Sequence, residues 1–141
     1  MLRWLIRRKL DAEEKKLGQS VDYLRYVVDV SPAAFLRFCS ILPLANSRKV
    51  LPKDVWFVAQ IVALQHEDCG TCLQIGVNLA RQARVDPALL RAALDGNCDD
   101  MPQEMVDVWR FTKSVVTATD DDSLRETIRG RYGDRGLIEL S

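Results

Sequence analysis

The chain has 141 residues, of which 20 are basic and 20 acidic, giving a formal net charge of zero. At 48% hydrophobic and 28% charged, with 7 Gly and 5 Pro, it has a globular rather than a disordered composition, of a length that suits one domain. The balanced charge excludes a dedicated nucleic-acid binder, which carries a basic excess, and no apolar run approaches the roughly 20 residues that cross a membrane.

Helix signals dominate from the start. Trp4, Leu5, Leu10 and Leu17, spaced among charges, predict a helix over about 3–17 with Gly18 as its stop. The first residues are basic but lack an apolar core and a small-residue cleavage site, so a cytoplasmic location is expected, with reduced cysteines. Trp4, Leu5 and Ile6 are expected to dock on the core, and membrane association is not expected. Ser20 can cap a short helix through Tyr23, Leu24 and Val27. Ser31-Pro32 starts the next, because proline in a first turn gives up no hydrogen bond; that helix carries Phe35, Leu36, Phe38 and Cys39 and should end or kink near Pro43. Pro52 opens a helix whose run from Val55 to Leu64 is apolar on nearly every side, the pattern of a helix buried all round or at a subunit contact.

After His66-Glu67-Asp68, the segment Cys69-Gly70-Thr71-Cys72 opens a helix to about Arg84. Asp86-Pro87 caps another, with Leu89, Leu90, Ala93 and Leu94 as its apolar stripe and Gly96 as its end. Pro102 starts a longer helix through Met105, Val108, Trp109 and Val115-Val116. Ser123-Leu124-Arg125-Glu126 has capping-box spacing, behind the three aspartates Asp120, Asp121 and Asp122, which suit a helix N-terminus. Gly133 breaks that helix, and residues 137–141 read as the first turns of one more, cut short as in a C-terminal truncation. The expectation is a single all-α domain over 1–141, a bundle of about seven or eight helices with short loops.

Cys69 and Cys72 carry the one pattern that points to chemistry. Positions i and i+3 of a helix share a face, with Cβ atoms about 5–6 Å apart, within reach of a disulfide. A helix N-terminus stabilises a thiolate through its free N–H groups and its dipole, lowering a thiol pKa from about 8.5 toward 7. Such a pair can cycle between dithiol and disulfide. His66 is the only histidine, the residue type that exchanges a proton nearest to neutral pH, and Glu67 is the carboxylate placed to orient it. The candidate catalytic residues are therefore Cys69, Cys72, His66 and Glu67, with no cofactor and no metal. The plainer readings are a buried pair of thiols, a histidine that only caps its helix, and Cys39 and Cys98 as core thiols. His66, Cys69 and Cys72, with Cys98 or Cys39, also make a possible zinc set, although a second short ligand motif is missing.

Three segments, Leu51-Pro52-Lys53-Asp54, Cys69-Gly70-Thr71-Cys72 and Val85-Asp86-Pro87-Ala88-Leu89-Leu90-Arg91-Ala92-Ala93-Leu94-Asp95-Gly96, together resemble the AhpD-like alkylhydroperoxidase and carboxymuconolactone decarboxylase family. The later stretches around Thr119–Leu124 and Arg131-Tyr132-Gly133 are similar to its C-terminal half. The resemblance implies an all-α fold that forms homo-oligomers through helix faces, a small peroxide as substrate and an external dithiol as reductant. It also implies that the second cysteine, Cys72, attacks the peroxide and Cys69 resolves. Helix position alone favours Cys69 as the attacker; the acidic neighbour Asp68 disfavours its thiolate and tips the expectation to Cys72. The family's histidine lies four residues after the second cysteine and its glutamate twelve before the first; here those positions are Gly76 and Phe57. His66 and Glu67 either replace them from the other side, or the site is weak or silent and the helical oligomer serves partner binding.

Overall fold

The computed structural model describes residues 2–119 and 121–141; Asp120, expected among the capping aspartates, lies outside them. The described residues form eight α-helices and one 3-10 turn and contain no strand, so the chain is all-α. None of these helices is long and apolar enough to cross a membrane. The chain comprises two compact units, Met1–Ser47 and Arg48–Ser141.

The first unit contains α1 (Leu2–Leu17), α2 (Asp22–Val30) and α3 (Pro32–Ala45). Ile6 and Leu10 lie one turn apart on α1 and meet Val21, Val28 and Phe35 in a small core. Trp4 is on the opposite side of α1 from Ile6, which is why it and Leu5 stay exposed instead of docking. Arg25 joins α2 to α1 through Asp11 at 2.8 Å and to its own helix through Asp22 at 2.6 Å. With the Arg7–Asp29 pair, this fixes α1 and α2 antiparallel. Ser20 sits one residue outside the expected capping position: its hydroxyl accepts the Asp22 N–H at 3.2 Å, and Val21 occupies the N-cap without a side-chain bond. Ser31 caps α3 as expected, accepting the Ala34 N–H at 3.2 Å. The helix runs through Pro43 to Ala45; with two residues left after it, the proline removes one terminal bond and does not end the helix. Among the described side chains of α3 only Phe35 is buried, and Leu36, Phe38, Ile41, Leu42 and Leu44 are exposed.

The second unit contains α4 (Lys53–His66), α5 (Gly70–Gln82), α6 (Pro87–Asp95), the 3-10 turn Cys98–Asp100, α7 (Gln103–Val116) and α8 (Asp122–Leu140). Helix α4 packs against α5, α6 and α7, which accounts for its apolar circumference. Val55, Val58 and Ala59 face one core with Met105, Val108, Phe111 and Ile128. Phe57 and Ile61 face a second, with Ala80, Val85 and Leu90. Ile61, Val55 and Val58 are wholly buried, each worth about 1.5–3 kcal/mol. The cap of α8 is Asp121, whose carboxylate accepts the Leu124 N–H at 2.9 Å, not Ser123; the aspartate takes a free N–H of the first turn, and Ser123 falls inside the helix. Gly133, at φ 69° and ψ 179°, interrupts α8 at the expected place. Beyond it Glu139 reaches back, and its carboxylate accepts the N–H groups of Lys49, Val50 and Leu51 at 2.9–3.1 Å, tying the chain's last helical turns to the entry of α4.

Candidate functional site

Helix α4 ends at His66, and a tight turn presents the cysteines. The Glu67 N–H returns to the Ala63 carbonyl at 3.2 Å, and Asp68 takes a left-handed conformation (φ 50°) with its N–H on the Gln65 carbonyl. That reversal leaves Cys69 as the N-cap of α5, with its carbonyl accepting the first intrahelical bond from Leu73 at 2.9 Å. Its sulfur accepts the N–H of Cys72 at 3.4 Å, so the sulfur does the work a Ser or Asp side-chain oxygen usually does at this position. The two cysteines are joined as a disulfide, with Cα atoms 5.3 Å apart, inside the ordinary range for such a bond. Both are half-buried, Gly70 and Thr71 between them are exposed, and the space beside the Gly70 α-carbon is open. No acidic residue lies in the first turn of α5.

His66 and Glu67 flank this turn but face solvent. Among the described residues neither side chain makes a hydrogen bond or ion pair, and neither is bonded to a cysteine. Asp68 is likewise exposed. No group of three His, Cys, Asp or Glu side chains among the described residues is arranged to hold a metal ion. Cys39 and Cys98 are free and half-buried, each packed against the core of its own unit.

The two positions that depart from the family pattern are packing positions. Phe57 is 8% exposed in the core formed with Ile61, Ala80, Val85 and Leu90. Gly76 is buried where α5 crosses α4, and a Cβ there would stand 2.8 Å from the Leu64 Cδ1. A side chain at 76 therefore requires Leu64 to move, and a carboxylate at 57 would be taken out of water without a partner.

Several side chains outside the candidate site close helix ends or join helices of the second unit. Gln65 donates its amide to the Leu94 carbonyl at 2.7 Å, and the Trp109 indole donates to Ala93 at 3.0 Å, so the end of α6 is satisfied by α4 and α7. Lys53 donates to the carbonyls of Ala83 and Arg84 at 3.1 and 3.0 Å, closing the end of α5. On α7, buried Asp107 accepts from Gln103 at 2.8 Å and from Arg131 at 3.1 Å. Tyr132 donates to Glu104 at 2.5 Å; burial, then the Glu104 carboxylate, push its phenol above the usual range. These bonds brace α8 against α7 and belong to the scaffold.

Compared with protein-family models, with curated proteins and with solved structures, the chain finds no match.

Proposed function

We infer that the chain is a thiol–disulfide redox protein of AhpD-like type, working through Cys69 and Cys72. The observation that carries this reading is the pair's placement: two cysteines within bonding distance across the first turn of α5, both half-buried, beside an exposed Gly-Thr. Reduced, the pair offers two electrons to an acceptor, and an external dithiol restores it. The resemblance points to a small peroxide as that acceptor: a thiolate attacks one peroxide oxygen, the other oxygen leaves as alcohol or water, and the second thiol condenses the resulting sulfenic acid to a disulfide with loss of water. His66 and Glu67 stand near enough in sequence to serve as proton carriers, and their freedom from other bonds is compatible with that role. A cytoplasmic setting, in which Cys39 and Cys98 stay reduced, fits the chemistry. The exposed side chains of α3, a helix with Arg37 as its one charge, support self-association into a homo-oligomer.

The test is peroxide-dependent consumption of a dithiol such as dithiothreitol. The wild-type protein should accelerate it and Cys72→Ser should abolish the acceleration; a wild-type protein inert toward several peroxides removes peroxide from the reading. A second reading, a catalytically silent helical oligomer used for partner binding, is favoured by the apolar packing at Phe57 and Gly76. Failure of the Cys69–Cys72 disulfide to reduce and re-form in glutathione redox buffers would select it.

A further inference from the structure

We propose that the outer face of α1 docks on an anionic lipid bilayer, lying at its surface. This stands apart from the redox reading. It reverses the expectation, drawn from the sequence, that Trp4 and Leu5 pack on the core and that membranes are not a partner. Ile6, Leu10 and Leu17 turn one side of α1 into the core of the first unit. Successive side chains are about 100° apart on a helix, so Trp4, Leu5, Arg8, Lys9, Lys15 and Lys16 share the other side, within an arc of about 140°. All six are exposed, Trp4 at 61% and Leu5 at 52%. The Arg8 guanidinium lies 5.7 Å from the centre of the Trp4 ring, which puts cation and indole on one patch.

The charges of this unit are sorted by side. Residues 1–47 carry eight basic and five acidic side chains, in a chain with 20 of each. Asp11, Glu14 and Asp22 are paired with Arg25, and Asp29 with Arg7, so four of the five carboxylates are spent where α1 meets α2. The fifth, Glu13, stands 3.8 Å from Lys16. Arg8, Lys9 and Lys15 have no acidic partner among the described residues, and their charge faces solvent uncompensated. A soluble polyanion would satisfy these cations and leave Leu5 in water. An anionic bilayer satisfies both: headgroup phosphates meet the cations, the indole sits at the headgroup level, and Leu5 enters the acyl boundary. The long Lys and Arg stems let the charged ends stay in the headgroup layer while their methylenes lie against it. None of the described helices is long and apolar enough to cross a membrane, and a surface contact asks for none.

The experiment sediments the full-length protein with vesicles of equal parts phosphatidylcholine and phosphatidylglycerol, and with phosphatidylcholine vesicles as control. Each cation near such a surface is worth roughly fivefold in partition. Arg8→Gln, Lys9→Gln and Lys15→Gln together should therefore lower partition roughly a hundredfold, and about 0.5 M salt should remove most of the parent's binding. Trp4→Ala should lower it roughly tenfold. All the replaced side chains are exposed, so circular dichroism should show unchanged helicity. Brominated acyl chains should quench the parent's fluorescence and leave Trp4→Phe, which keeps Trp56 and Trp109, unquenched. No partition into the anionic vesicles at low salt overturns the proposal, as does equal partition into the neutral ones or a triple variant that binds like the parent. Binding to soluble heparin as tight as to vesicles, with no quenching by brominated lipid, replaces the bilayer by a polyanion. A triple variant of lower mass than the parent by light scattering replaces it by a second copy of the chain.

Discussion

Replacing Glu139 by Gln should loosen the second unit at neutral pH and change how its stability depends on pH. The carboxylate accepts three backbone N–H groups, from Lys49, Val50 and Leu51, at 2.9–3.1 Å. A Gln side chain keeps one carbonyl oxygen and turns an NH₂ group toward the remaining donors, so at least one N–H at the entry of α4 faces a donor. Hydrogen bonds to a charged group are worth about 1.5–3 kcal/mol each, and partial exposure of this carboxylate takes the expected loss to about 1–2 kcal/mol. For a unit of this size that is a fall in Tm of roughly 4–10 °C. Burial alone would raise the Glu139 pKa; the three N–H groups and Arg135 outweigh it and hold the group below its ordinary 4.5. The folded chain thus binds this proton less tightly than the unfolded one, and the contribution is present above about pH 4.5 and fades as pH falls through the lower folded value. Urea unfolding of the parent and Glu139→Gln from pH 7 down to about pH 3 should show a stability gap that closes with acid. A gap that stays constant, or no gap at pH 7, would refute the clamp.

Phe57→Glu, which places the family's carboxylate in the chain, buries it among Ile61, Ala80, Val85 and Leu90 and should cost about 3–5 kcal/mol in urea unfolding; a cost below about 1 kcal/mol would mean that this core is not packed as described. Gly76→His should destabilise by about 1–3 kcal/mol through overpacking on Leu64, and Leu64→Ala should relieve it, with a coupling above about 0.5 kcal/mol in a double-mutant cycle. Ile41→Lys combined with Leu44→Lys should leave helicity unchanged and lower the mass seen by light scattering; a parent that is monomeric at every concentration ends the proposal of self-association.

Much of the helical frame was legible because prolines and glycines punctuate it. Ser31-Pro32, Pro52, Asp86-Pro87 and Pro102 mark four helix starts, and Gly133 marks the break in α8, each through a backbone constraint that acts within a few residues. Local signals failed where two candidates competed for one end. Asp121 took the cap that capping-box spacing gave to Ser123, and Ser20 fell one residue outside its helix. Contacts distant in sequence were not legible at all. Glu139 meets residues 49–51, and Gln65 meets Leu94, through groups that look like ordinary surface side chains until the helices are placed. The cysteine pair was legible from its spacing, and the helix start from the turn before it. That Cys69 would be the cap, with the Cys72 N–H on its sulfur, required the φ of Asp68, which no residue pattern specifies.

The two departures at Phe57 and Gly76 have one physical origin. A carboxylate and an imidazole between packed helices tolerate burial when each supplies the other's hydrogen bond, and either alone is a desolvated polar group with a cost of its own. Here α4 presents a ring at 57 to an apolar core, and its Leu64 methyl occupies the space into which a side chain at 76 would grow. Restoring one partner without the other is penalised at both positions, and restoring both requires Leu64 to be displaced as well. A proton relay and this packing are therefore alternatives for the same interior. With the interior filled, the titratable groups nearest the cysteines in sequence, His66, Glu67 and Asp68, lie in solvent. On the redox reading proposed above, protons at the cysteines would be exchanged with that solvent side, and the N–H groups that open α5 would favour a thiolate there.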